Sequence, residues 1–213
     1  DKRGRASNPR AGPCHGRGRT AGFSTAMDLY SQLAERLSAR RPVEIKDPEA
    51  TACAVLVPVI ATGPDSHGLV YTLRSEDVPN HQGQVSFPGG KLSPADGDLL
   101  ETALRETREE IGLDTDGVEV LGRLDDVPTY ADSFVITPYV AALPPDSVFK
   151  PNPREVSRLF TVGLDDLRDP ANRRVEMTEW EGEQHELPSI LAAEQVIWGA
   201  THRITLDLLA CLD

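Results

Sequence analysis

Cysteine is scarce in this 213-residue chain: there are three, Cys14, Cys53 and Cys211, odd in number, far apart and never in CxxC spacing. That argues against a disulfide framework or a zinc knuckle and makes a reducing, cytoplasmic setting the expected one. Long apolar runs are missing too. The longest, ATACAVLVPVI at 50–60, is far too short to span a bilayer, so no membrane partner is expected. The apolar core of a secretory signal is absent, as are internal repeats and any second-domain pattern. Basic charge is lacking where nucleic-acid binding would need it. Residues 1–25 hold six Lys/Arg against one Asp, a charge of +5, which leaves the rest of the chain at −17. An acidic body of that size makes a poor binder of phosphate backbones.

What is present suffices for one domain of ordinary size, with 39% hydrophobic residues to supply its core. Residues 1–25, rich in Arg, Gly and Pro, read as a disordered basic tail, and 26–213 as the folded domain. Leu29, Leu33 and Leu37 predict a helix over 27–41. Strands are expected at 50–60, 68–74, 84–87, 117–124, 134–142 and 157–162, with strand-like segments near 173–180 and 185–190. Helices are expected at 99–111, near 163–168 and at 199–212. Strands on both sides of a helix, with another helix at the end, give an α/β (α+β) sandwich around a mixed β-sheet.

The helix at 99–111 is the most informative element. Leu100, Leu104, Thr107 and Ile111 share one face, and Gly112 supplies the stop. Beside that face stand Glu106, Glu109 and Glu110, spread over an arc of roughly 100°. Like charges three and four apart destabilise a helix unless something neutralises them. Arg105 and Arg108 on a solvated face could do so. A hard divalent cation could do so equally, since it takes one or two carboxylates alongside phosphates and waters. Gly90, without a side chain, would let its carbonyl approach such an ion.

The wider stretch GGKLSPADGDLLETALRETREEIGL, residues 89–113, resembles the Nudix box, the loop–helix–loop signature of hydrolases of nucleoside diphosphates linked to another moiety. That pattern runs Gly, a Glu six positions later, then seven residues to Arg-Glu-apolar-x-Glu-Glu-x-Gly-apolar. Arg105, Glu106, Glu109, Glu110, Gly112 and Leu113 match its second half, with Thr107 at the aliphatic position. The first half departs by one inserted residue. Counted back from Arg105, the isolated Glu falls on Gly97, leaving Asp96 or Asp98 to stand near it. The preceding segment TLRSEDVPNHQGQVSFPGG, 72–90, is similar to coenzyme A pyrophosphatases through Thr72, Arg74, Ser75, His81, Gly83, Gln84, Phe87, Pro88, Gly89 and Gly90.

The resemblance implies a Nudix α/β/α sandwich and a Mg²⁺- or Mn²⁺-dependent hydrolase of coenzyme A or an acyl derivative. Its catalytic residues would be Arg105, Glu106, Glu109 and Glu110, and its metal ligands Gly90, Glu106, Glu109 and Glu110. Arg74, His81, Gln84, Lys91, Tyr130 and Phe134 would touch the substrate, the first and fourth its phosphates and the two aromatics its adenine. Hydrolysis of ADP-ribose, NADH or diadenosine polyphosphates is the enzymatic alternative, and a non-catalytic nucleotide-binding module the alternative of another class. A homodimer is compatible with the sequence.

Overall fold

The computed structural model describes residues 24–77, 82–129, 133–180 and 182–213. Its centre is an eight-stranded mixed sheet. Strand β1 (Thr51–Gly63) runs parallel to β7 (Phe134–Ala142) along nine registered pairs, from Thr51 opposite Phe134 to Val59 opposite Ala142. Outside β7 lies β5 (Glu119–Arg123), with β6 (Val127–Pro128) pairing the start of β7. On the other side β2 (Ser66–Arg74) pairs antiparallel with β1 and β8 (Val156–Gly163).

β1 and β2 are joined only near their hairpin, from Val59 opposite Leu69 to the turn. Beyond that they splay. The separated half of β2 pairs with β3 (Val85–Ser86), and that of β1 with β4 (Gly89–Lys91). The turn Phe87–Pro88 is thereby wedged into the middle of the sheet, with the Leu56 N–H donating to Pro88 O at 2.9 Å. A glycine is obligatory at 89. A Cβ there would stand 2.6 Å from Val55 Cα and collide with Ala54 O.

Helix α1 (Ser24–Ala39) and helix α4 (Gly199–Ala210) cover one face of the sheet through Leu33, Leu37, Ile204, Leu208 and Leu209, which join Val57, Val59, Tyr71 and Val140 in the main core. Helix α2 (Leu99–Ile111) covers the other, with Ala103 against Ala54, Leu56 and Ala141, and Ile111 in a second cluster with Val70, Leu143 and Val156. The result is the expected three-layer sandwich. A short helix, α3 (Leu164–Arg168), follows β8, and a three-stranded antiparallel sheet of β9 (Arg173–Trp180), β10 (Glu183–Ala192) and β11 (Gln195–Trp198) lies between α3 and α4 in the chain. Cys53 and Cys211 carry free thiols.

One expectation changes. Helix α2 buries Thr102, Ala103, Thr107, Glu110 and Ile111, whereas Leu100 and Leu104 are only half buried. The helix lies so close to the sheet that small side chains face it, and the larger leucines flank the contact.

The β10–β11 connection holds local strain. Ala193 and Glu194 form a two-residue hairpin turn with φ of 48° and 64°. Two left-handed residues in such a turn are what Asn-Gly supplies without steric cost. The double replacement Ala193→Asn, Glu194→Gly is expected to raise stability by about 1 kcal/mol, read as a higher denaturant midpoint at unchanged slope.

Candidate active site

The site lies where α2 crosses the splayed strands, under the β3–β4 turn. Asp98 caps the helix, its carboxylate accepting from the Glu101 N–H at 2.8 Å. At the other end Gly112 adopts φ 61°, and a Cβ there would stand 2.6 Å from Lys150 O. The Lys150 and Asn152 N–H groups donate to the last carbonyls, Ile111 O and Glu110 O, both at 2.8 Å. The segment leading into β8 therefore fixes the end of α2 that carries Glu110.

The three glutamates meet three environments. Glu110 is buried, 4% exposed, and accepts from the Gly89 N–H at 3.2 Å; Arg74 Nη1 stands 3.6 Å from its other oxygen. Burial pushes its carboxyl up to about 7, against Gly89 and Arg74 and with help from the charges of Glu106 and Glu155. Glu106 is half buried. Burial raises its pKa as well, opposed by Arg105 and reinforced by Glu109 and Glu155. Glu109 is exposed.

Arg105 ties this set together. Its Nη1 donates to Glu106 at 2.8 Å and Glu109 at 3.2 Å, and its Nη2 reaches Lys91 O at 3.2 Å. Asp96 holds the other edge of the guanidinium, with Nε to Oδ1 at 2.8 Å and Nη2 to Oδ2 at 3.0 Å. The Ser93 N–H and Thr102 hydroxyl also donate to Asp96. Arg105 holds the Asp96 carboxyl well below the usual carboxylate range. This separates the two aspartates: Asp96, six positions after Gly90, pairs with the box arginine, and Asp98 caps the helix. The inserted residue lies between Asp96 and Arg105, not in the glycine turn.

Whether these groups suit a hard cation turns on chemistry and space. The donors are carboxylate and carbonyl oxygens. Gly90 faces Glu106 so closely that a Cβ would stand 2.5 Å from its carboxyl carbon. Glu110 is buried beside Glu106, and a positive charge there would favour the ionised form of both carboxylates. In the present conformation Arg105 draws Glu106 and Glu109 to itself, and among the described residues no three His, Cys, Asp or Glu side chains stand in metal-holding geometry. The donor set and the glycine cradle fit Mg²⁺ or Mn²⁺.

Of the other sequence candidates, Arg74 reaches the site directly, and its N–H donates to Gln84 O at 3.0 Å across the β2–β3 turn. Lys91 and Phe134 meet each other, the ammonium 4.9 Å from the ring centre. His81 and Tyr130 lie outside the described residues, as do residues 1–23. One group escaped the sequence reading. Glu155, just before β8, is half buried and near enough to Glu106 and Glu110 to raise both pKa values. Its carbonyl receives the Ser75 N–H at 2.9 Å, which locks it to the end of β2. Nothing in its local sequence marks it; only the pairing of β8 with β2 brings it to the carboxylates.

A helix with buried and half-buried carboxylates, set beneath a glycine turn in a splayed mixed sheet, is the loop–helix–loop arrangement that the resemblance to the Nudix box implies. The family model for the NUDIX domain matches residues 54–181, and the chain belongs to the Nudix hydrolase family, whose members act on nucleoside diphosphate-linked substrates and generally use divalent metals. An uncharacterized Nudix hydrolase NudL of Photorhabdus laumondii is 34% identical over 151 residues, covering 71% of this chain and 79% of its own. One from Yersinia enterocolitica is 35% identical over 163 residues, covering 71% and 76%. A MutT/nudix family protein from Enterococcus faecalis shares the fold at 14% identity, with a TM-score of 0.52 over 89% of this chain and 69% of its own. Among the described residues no helix is long and apolar enough to cross a membrane.

Proposed function

We propose that this Nudix hydrolase cleaves the pyrophosphate of coenzyme A or an acyl-coenzyme A, with water, to 4′-phosphopantetheine (or its acyl form) and adenosine 3′,5′-bisphosphate. The observation that carries the reading is the contact between the two resembling segments. Arg74, from the stretch similar to coenzyme A pyrophosphatases, stands 3.6 Å from Glu110 of the box. A substrate phosphate reaching the carboxylates would meet that guanidinium, and Arg–phosphate pairing suits so charged a ligand.

In this reading Glu106, Glu110 and the Gly90 carbonyl hold Mg²⁺ or Mn²⁺, with Glu109 as a further ligand or proton acceptor. Such an ion, when bound, would supply neutralisation of phosphate charge and acidification of water. Arg105, clamped by Asp96, keeps Glu106 and Glu109 in position. Lys91 offers a second cation to the phosphates, and the Phe134 ring beneath it a surface for adenine. Glu109, the exposed member of the trio, is the one best placed to pass a proton to solvent.

The test is hydrolysis of coenzyme A, acyl-coenzyme A, ADP-ribose, NADH and diadenosine polyphosphates with Mg²⁺ or Mn²⁺, products identified by mass. Coenzyme A compounds are expected to be preferred by about tenfold or more in kcat/KM. A preference for ADP-ribose or NADH would overturn the coenzyme A assignment, and metal-independent nucleotide binding without turnover would overturn catalysis.

Glu155 gives a prediction of its own. Replacing it with Gln removes a negative charge that raises Glu106 and Glu110, so the acid limb of the pH–rate profile is expected to move to lower pH. The rate on the plateau is expected to fall about tenfold, as when one electrostatic group of a set is lost. An unshifted acid limb would remove Glu155 from the site.

A further inference from the structure

Strand β9 is the outermost strand of the three-stranded sheet and, among the described residues, pairs only with β10. Its first five residues, Arg173, Arg174, Val175, Glu176 and Met177, alternate across the two faces. On the face of Val175 and Met177, the register places Arg173 opposite Ile190 and Ile190 opposite Ile197. Ile190 and Ile197 are fully buried, whereas Val175 and Met177 are each 59% exposed. Outward of Ile190 this face continues through Arg173, Val175 and Met177, with Pro188 and Glu186 beside the last two on β10, and Val175 and Met177 stay uncovered. A strand edge that no other described strand pairs, beside exposed apolar side chains, is a template for another strand.

We infer that this edge is a homodimer interface, the β9 strands of two copies pairing antiparallel about a two-fold axis. Charge order and strand geometry select both the occupant and the register. Opposed residues in an antiparallel pair either exchange both backbone bonds or neither. Along β9 the outward-facing residues alternate, so residues of like parity must be opposed and the axis passes through a residue. An axis at Arg174 would oppose two arginines, and one at Glu176 two glutamates, both unfavourable. An axis at Met177 takes Arg174 out of reach of Glu176. An axis at Val175 opposes Val175 to itself, sets Arg173 beside Met177 on the apolar face, and places Arg174 opposite Glu176 twice on the other. The carbonyls of Ala171 and Arg173, each 2.7 Å from Arg174 Nη1, fix that charge at the beginning of the strand. Because the same edge is used by both copies, the assembly closes at two and does not propagate. The interface involves none of the residues assigned to the active site.

The test uses the full chain in sedimentation analysis up to ~200 µM, a range that detects even a micromolar association. A dimeric mass is expected. In a Cys14→Ser, Cys211→Ser background, Val175→Cys is expected to form an intermolecular disulfide on mild oxidation, while Met177→Cys, opposed to Arg173, does so at least fivefold less. Glu176→Arg is expected to give monomers, and Arg174→Glu combined with Glu176→Arg to restore the dimer. Turnover should be unchanged in every variant, which reports that each is folded. A monomeric mass across the range, a dimer that survives Glu176→Arg, or a dimer in which Val175→Cys does not cross-link would each overturn the proposal.

Discussion

Glu110→Gln is expected to lower turnover by roughly 10²- to 10³-fold while leaving the protein folded and, without metal, more stable at alkaline pH. The size of the loss follows from the role proposed for Glu110, a carboxylate that would hold the ion facing the phosphates. The gain in stability follows from burial. Folding carries the Glu110 carboxyl from an ordinary value of 4.5 to about 7, so between those limits the native state binds more protons than the unfolded chain. Stability contributed by such a group is present below 4.5 and lost as pH rises through 7. At pH 8 the buried charge costs on the order of 3 kcal/mol, which the neutral amide avoids. Gln keeps an oxygen to accept the Gly89 N–H, so that hydrogen bond survives.

Thermal melts at pH 5 and pH 8, with and without Mg²⁺, would check each part. The wild-type protein is expected to lose stability from pH 5 to 8 without metal and to recover much of it on adding the ion, because binding to the native state alone shifts unfolding by mass action. The variant is expected to show a flatter pH dependence and a weaker response to Mg²⁺. A variant that melts with the wild-type pH slope would mean that Glu110 is not the buried charge, and full turnover would remove it from the chemistry.

The contrast between Glu110 and its neighbours also shows where sequence reasoning reached its limit. The bounds of α2 follow from local signals, a periodic run and Gly112, and they emerge as expected. The depth of each glutamate does not. Periodicity places Leu100, Leu104, Thr107 and Ile111 on the core-facing side, and Thr107 and Ile111 are buried there, yet the sheet comes so near that Ala103 replaces the two leucines and Glu110 is drawn in beside it. Local pattern cannot report how close a neighbouring layer will be. The choice between Asp96 and Asp98 was similarly undecidable, since it depends on the path of the loop before the helix. Glu155 lay further out of reach, because its approach depends on the long-range pairing of β8 with β2.

The two adjacent glycines separate fold from chemistry, and Gly90→Ala is expected to abolish at least 99% of activity in a protein that still folds. The added methyl would stand 2.5 Å from the Glu106 carboxyl carbon and 2.8 Å from Oε2. Those atoms end a flexible side chain, so the carboxylate can swing aside and the backbone need not move. The consequence falls on the site. Glu106 loses its place beside Gly90, and a displacement of about 1 Å at a reacting centre is worth roughly 10² in rate. Gly89→Ala meets a different obstacle, Val55 Cα at 2.6 Å and the Ala54 carbonyl, which are rigid backbone of the central strand. Relief there requires β4 to part from β1, so a loss of about 3 kcal/mol or more is expected, together with the activity. Circular dichroism and denaturant midpoints for the pair, set beside their turnover, would distinguish the two effects. If Gly90→Ala were as unstable as Gly89→Ala, the glycine turn would be required for packing alone; if it kept full turnover, Glu106 would not be working from the position it holds beside Gly90.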